Sequence, residues 1–116
     1  MVVTGSGSDR SSQLLKGVLD MCLLAVIAEE PSYGYEMVRK LMDRGLDLVS
    51  EGTIYPALSR MQRNGLIESY LVASAEGPAR KYYRLKDTGA TALDEWSDAW
   101  RRLSNGVEHV LGGESE

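Results

Sequence analysis

The apolar residues of this chain change their spacing twice, and where they do so restricts the fold more than any single motif. Up to Asn64 and Gly65 they recur at intervals of three and four, as on helices. From Leu66 to Leu85 the pattern becomes that of strands, with aromatic and β-branched residues bracketing a Ser/Glu/Gly/Pro-bearing turn. From Asp87 onward the helical spacing returns.

The first segment divides into three helices. Leu15, Val18, Leu19, Cys22 and Val26 mark helix one, with Ser11 or Ser12 as N-cap and Pro31 as the stop. Its second apolar set, Leu14, Met21, Leu24, Ala25 and Ala28, widens the stripe almost all round and demands burial on more than one side. Ser32 is expected to cap helix two over 33–44, with Tyr35, Val38, Leu41 and Met42 inward and Gly45 as its stop. Ile54, Leu58 and Met61 define helix three, which should start between 51 and 54 so that Pro56 lies in the first turn, and should leave through Asn64-Gly65. The strands are expected at 66–72 and 80–85, joined by a long turn over 73–79. Asp87 or Thr88 should cap the last helix, where Leu93, Trp96, Trp100, Leu103, Val107 and Val110 form a heptad-like seam that calls for a partner helix. Asn105-Gly106 is expected to fray its final turn, and residues 112–116 read as a disordered acidic tail. Residues 1–11, rich in glycine and serine, read as a flexible arm.

Composition removes whole classes of function. The 116 residues hold one domain. A lone cysteine, Cys22, and a lone histidine, His109, allow neither an internal disulfide nor a His/Cys zinc site, and no cofactor is implied. No Ser/His/Asp or Cys/His catalytic set can be assembled around one late histidine, so no enzyme is expected. The apolar run 21–28 is too short for a membrane span, which points to a cytoplasmic protein without a membrane partner. The net charge of −4 conceals a segregation: residues 66–86 carry four basic and two acidic groups, residues 87–116 two and seven. All six tyrosines lie in the middle of the chain and both tryptophans near its end.

Three helices followed by a two-stranded hairpin is the order of a winged helix-turn-helix, so the expected fold is mainly α with a two-stranded β wing and a C-terminal dimerisation helix. The DNA-binding part spans 12–86 and the dimerisation helix 87–111. In four places the chain also resembles the PadR-type transcriptional regulators: LKGVLDMCLLAVI at 15–27; Tyr33-Gly34-Tyr35-Glu36; EGTIYPALSRMQRNGLI at 51–67; and Arg80-Lys81-Tyr82-Tyr83-Arg84-Leu85 followed by Gly89. The family usually has threonine where Lys86 stands. The single last helix is like that of the short members. The resemblance implies a homodimeric repressor that places two recognition helices in successive major grooves of an inverted-repeat operator.

With Ile54, Leu58 and Met61 inward, Thr53, Pro56, Ala57, Arg60, Arg63 and Asn64 are expected on the outward arc of helix three, the face that double-stranded DNA would meet. A solvated helix surface is the plainer explanation of the arginines alone. Tyr55 is divided between packing its ring and offering its hydroxyl to a phosphate. Tyr33 and Gly34 stand where helix two could approach a phosphate, although packing explains both as well; Tyr35 is expected to pack. Arg80 and Lys81, nearest the wing tip, are the phosphate or minor-groove residues, unless the basic strand merely guards a sheet edge. Trp96 and Trp100 stand one turn apart and, with Leu14, Leu15, Val18, Leu93, Leu103 and Val107, form the expected dimer interface. In some regulators of the resembled family such tryptophans sandwich a flat aromatic effector, and Trp96 is nearer the middle of the helix. A competing function keeps the fold but uses the acidic last helix to dock a protein partner, with DNA irrelevant.

Overall fold

The computed structural model describes residues 6–113. Helix α1 (Ser6–Glu29) runs through the centre. It begins six residues before the expected start at Ser12, so residues 6–11 of the expected arm are helical, and 1–5 lie outside the described residues. Extending a helix that is already nucleated costs little even for residues of modest propensity. Residues Arg10–Glu29, with a mean hydropathy of 1.5, are long and apolar enough to cross a membrane. Within this span Leu23 and Leu24 are fully buried, and Leu19, Val26 and Ile27 nearly so, where α1 meets the other helices and the sheet.

A short strand, β1 (Ser32–Tyr33), precedes α2 (Gly34–Asp43). Ser32 therefore does not cap α2; Tyr33 does, in extended backbone, its N–H donating to Glu36 Oε1 at 3.3 Å. Ser32 is buried, its hydroxyl donating to the Glu30 carbonyl at 3.0 Å. The inward positions of α2 are Gly34, Met37, Val38 and Leu41, whereas Tyr35 and Met42 are exposed, against expectation. Helix α3 (Glu51–Arg63) starts within the expected interval, but with Ser50 as N-cap, which puts Pro56 inside the helix beyond the first turn. That proline removes one backbone hydrogen bond, at roughly 3 kcal/mol in a helix interior. Burial of Ile54, Ala57, Leu58 and Met61, at roughly 1.5–3 kcal/mol for each large side chain, outweighs it. Ala57 is thus a core residue and not part of the outward arc.

Gly65 leaves α3 with φ +77°, a value that suits glycine, and opens the wing. Strands β2 (Ile67–Ser74) and β3 (Gly77–Leu85) are longer than their composition suggested, and only Ala75 and Glu76 remain as the turn. The sheet has three antiparallel strands in the order β1-β3-β2, so the expected two-stranded wing gains one short strand. Tyr33 and Tyr70 flank Tyr82 from either side, and Ser32 lies opposite Tyr83.

Helix α4 (Asp87–Val110) is continuous through Asn105-Gly106, where fraying was expected. Its N-cap is Lys86, not Asp87 or Thr88. Thr88 instead donates its hydroxyl to the Gly65 carbonyl, and the Lys86 N–H donates to the Leu66 carbonyl at 3.0 Å. Gly89 completes this junction: a Cβ there would collide with the Leu66 carbonyl oxygen and come within 2.8 Å of Leu85 Cδ1. The Gly89→Ala substitution should therefore destabilise the chain by roughly 1–3 kcal/mol, the cost of overpacking, read as a lower urea midpoint at unchanged slope.

Candidate nucleic-acid interface

Helix α3 presents Thr53, Tyr55, Pro56, Ser59, Arg60, Gln62, Arg63 and Asn64 to solvent. Its outward arc thus holds the expected residues apart from Ala57. They differ in how far they are already engaged. The Thr53 hydroxyl is turned back into the helix start, accepting from the Ser50 N–H at 3.0 Å and donating to the Ser50 carbonyl at 2.8 Å. Arg60 is ion-paired with Asp20 of α1 at 2.8 Å. Arg63 is exposed and has no ion-pair partner among the described residues.

Tyr55 joins α3 to α2. Its ring lies against Gly34, where a Cβ would sit 2.7 Å from both Cε1 and Cζ, and its hydroxyl donates to Glu51 Oε1 at 2.9 Å. Gly34 is buried, and the absence of a side chain there makes room for the Tyr55 ring. Burial of the phenol, with the Glu51 carboxylate beside it, pushes the Tyr55 hydroxyl up to about 12. Tyr35, expected to pack, faces solvent, and its hydroxyl accepts from Arg39 Nη1 at 3.3 Å. The four-residue spacing of that pair on α2 was visible in the sequence.

The outer face of the sheet carries a row of rings and cations. Arg80 lies over the Tyr33 ring at 4.6 Å; Tyr33 and Tyr82 have centroids 5.3 Å apart; Tyr82 and Tyr70 stack at 6.0 Å; and Arg84 lies over Tyr70 at 4.5 Å. Arg84 is also bound to Glu68 at 2.7 Å, which removes it from the free cations of the wing. Lys81 is exposed and without an ion-pair partner among the described residues. The parts played by Tyr70 and Tyr82 escaped sequence reasoning, because the signal lies in a cross-strand register that spacing alone does not give.

At the opposite end, α4 leaves its apolar seam largely uncovered. Leu93 and Trp96 pack in part against the core of their own chain, but Trp100, Leu103, Val107 and Val110 are exposed, as is Leu14 of α1. Two open grooves run between α1 and α4. The larger, about 790 Å³, is lined by Leu14, Leu15, Val18, Trp100, Leu103 and Val107 among others; the smaller, about 580 Å³, by Leu14, Gly17, Met21, Trp96 and Trp100 among others. Trp100 thus borders both grooves and Trp96 one. Cys22 is half-buried, and burial pushes its thiol up, which disfavours the reactive thiolate.

Residues 23–95 match the model of the transcriptional regulator PadR-like family. A PadR-like transcriptional regulator from Bacillus cereus is 49% identical, with a TM-score of 0.78 over 88% of this chain and 99% of that one. A PadR family regulator from Eggerthella lenta is 35% identical, with a TM-score of 0.80 over 90% of each chain. A transcriptional regulator of Mycobacterium tuberculosis is 35% identical over 88 residues, 76% of this chain and 78% of its own length.

The hydroxyl of Tyr55, bonded to Glu51, gives a test of this geometry. Its value in the folded chain lies above the ordinary 10.0, so the folded state holds the proton more tightly. The stabilisation is complete below about pH 10 and is lost as pH rises through about 12. In a titration followed by tyrosinate absorbance, the step missing from Tyr55→Phe should be the one near pH 12, and a missing step near pH 10 would contradict the packing described.

Proposed function

Because the chain belongs to the PadR-like family of transcriptional regulators, we propose that it acts in the cytoplasm as a homodimeric, sequence-specific repressor of an inverted-repeat operator. DNA binding itself is the common property of winged helix-turn-helix regulators, in which the third helix lies in the major groove and the wing flanks it. In this reading Arg63, Arg60 and the exposed backbone of α3 around Pro56 meet the major groove. Tyr33, Tyr55 and Thr53 stand near the phosphates, while Arg80 and Lys81 reach the backbone or the minor groove. Gly34 and Ala57 take part only by allowing α2 and α3 to pack. The observation that carries the reading is the placing of cations on the two elements: α3 presents Arg63 and the wing Lys81, both exposed and without an ion-pair partner among the described residues, with Arg60 and Arg80 exposed beside them.

The second half of the proposal rests on the uncovered seam of α4. A row such as Trp100, Leu103, Val107 and Val110 exposes more contiguous apolar surface than an isolated helix face tolerates, and a second copy of the same row would cover it. Leu14, Leu15, Val18, Leu93 and Trp96 would join that interface. The grooves beside Trp96 and Trp100 would then be closed from both sides, forming a slot for a planar aromatic effector. Such an effector would relieve repression only by favouring a dimer with a different separation of the heads.

On the chain's own upstream DNA, Arg63→Ala and Lys81→Ala should each weaken binding and reduce the magnitude of the log–log salt slope by about 0.9 per lost phosphate contact. Base reading by Arg63 would instead appear as lost preference between sequences at an unchanged slope. Equal, weak affinity of the unaltered protein for this and unrelated DNA would favour the protein-docking alternative. Leu103→Asp should convert the dimer to a monomer in light scattering and abolish any quenching of tryptophan fluorescence by planar aromatic dyes. A dimer that survives the substitution places the interface elsewhere.

A further inference from the structure

Arg60 lies on the outward arc of α3, yet it is tied to another element. Its Nη2 donates to both carboxylate oxygens of Asp20 on α1, at 2.8 and 3.0 Å. Of the five ion pairs among the described residues, this is the one that joins α3 to α1. The pair sits at the surface, the Asp20 side chain 29% and the Arg60 side chain 48% exposed. It stands beside a cleft of about 420 Å³ that Lys16, Thr53 and Pro56 also line. Asp20 and Lys16 are the two charges in an otherwise uncharged stretch at 14–28.

One nitrogen of the guanidinium serves the carboxylate, and neither Nε nor Nη1 has a hydrogen bond among the described residues. Arginine carries donors on all three nitrogens, so the pair neutralises the charge without exhausting the fork. Those two functions matter differently on DNA. A free arginine adds affinity for any duplex by displacing counterions from phosphate. An arginine already neutralised gains little from phosphate, but its free Nη1 can still donate to a guanine acceptor, N7 or O6, in the major groove. Its side chain is also held in one orientation before contact, so less freedom is lost on binding.

We infer that Asp20 is a specificity-determining residue of the DNA reading, which holds Arg60 back from generic phosphate contact and reserves its remaining donors for a base. The inference rests on the DNA-binding function proposed above. It concerns a positioning residue: Asp20 acts through Arg60 and touches no DNA itself.

The test uses the full chain and two duplexes of equal length. One is the duplex that the unaltered protein enriches most from a random-sequence library; the other is its scrambled version. Asp20→Asn should bind the scrambled duplex more tightly, with a salt slope steeper by about 0.9 per released arginine, an extra loss of about threefold between 50 and 200 mM salt. Its preference for the enriched duplex should fall about tenfold, the scale of one hydrogen bond from a charged group. Asp20→Glu, which keeps the charge, should retain the original slope, and melting curves for both variants establish that they fold. In an Arg60→Gln background, Asp20→Asn should change nothing. A slope gain that persists in that background reports the loss of a negative charge near DNA and overturns the inference, as does an unchanged slope in Asp20→Asn alone. If the unaltered protein enriches no duplex at all, the DNA reading fails first and the inference with it.

Discussion

The protein depends on the burial of one helix on several sides at once. Leu19, Leu23, Leu24, Val26 and Ile27 of α1 supply five of the buried apolar side chains, and α2, α3, α4 and β3 all pack against this helix. At roughly 1.5–3 kcal/mol for each large side chain, such burial holds the remaining elements in place. The two halves of α1 do different things. The C-terminal half lies in the core of the head, while Leu14 in the N-terminal half remains exposed beside α4. One continuous helix therefore connects the surface that would face DNA with the surface that would face a second copy.

The legible parts of the fold were those fixed by local spacing. Ile54, Leu58 and Met61 can meet a core only on a helix, and the glycine at 65 can end it in the left-handed region, so α3 and its exit could be read from a single segment. What was misread depends on distant partners. On α2 the expected inward set, Tyr35, Val38, Leu41 and Met42, shares Val38 and Leu41 with the observed one, but Gly34 and Met37 take the places given to Tyr35 and Met42. The choice follows from Ser32 and Tyr33 pairing with Tyr83 and Tyr82, some fifty residues away. The wing shows the same limit. Gly77 and Pro78 suggested loop, but β1 covers only Tyr82 and Tyr83, so the start of β3 is an edge where a missing proline N–H costs no ladder bond. Ala57 is small enough for either face, and its burial is decided by the neighbouring helices. In the same way, the Arg60–Asp20 pair spans forty residues of sequence, and residue types alone could place Arg60 on α3 without giving its partner.

The outer face of the sheet has a different solution to stability from the core beneath it. Aliphatic side chains there would make an adhesive edge; instead Tyr33, Tyr82 and Tyr70 lie in contact, closed at the two ends by Arg80 and Arg84. Because Tyr33 is also the N-cap of α2, this row fixes the wing to the start of that helix. Tyr55 then fixes α2 to α3 through its contact with Gly34. Wing, second helix and third helix are thus linked by aromatic contacts on the surface as well as by aliphatic burial below it.

The junction at Gly89 gives α4 a mechanical character. Thr88 is bonded to the last residue of the α3 exit, Lys86 to the first residue of the wing, and the absent side chain at Gly89 leaves no slack between them. A close-packed contact of this kind transmits displacement and does not absorb it. From that fulcrum α4 extends for 24 residues, about 36 Å at the usual helical rise of about 1.5 Å per residue. A tilt of about ten degrees at its base thus carries its far end through about 6 Å, given that length. Run in reverse, a shift of a few ångströms at the distant tip reaches α3 and the wing as a small rotation, so α4 is geared to convert coarse movement into fine angular adjustment.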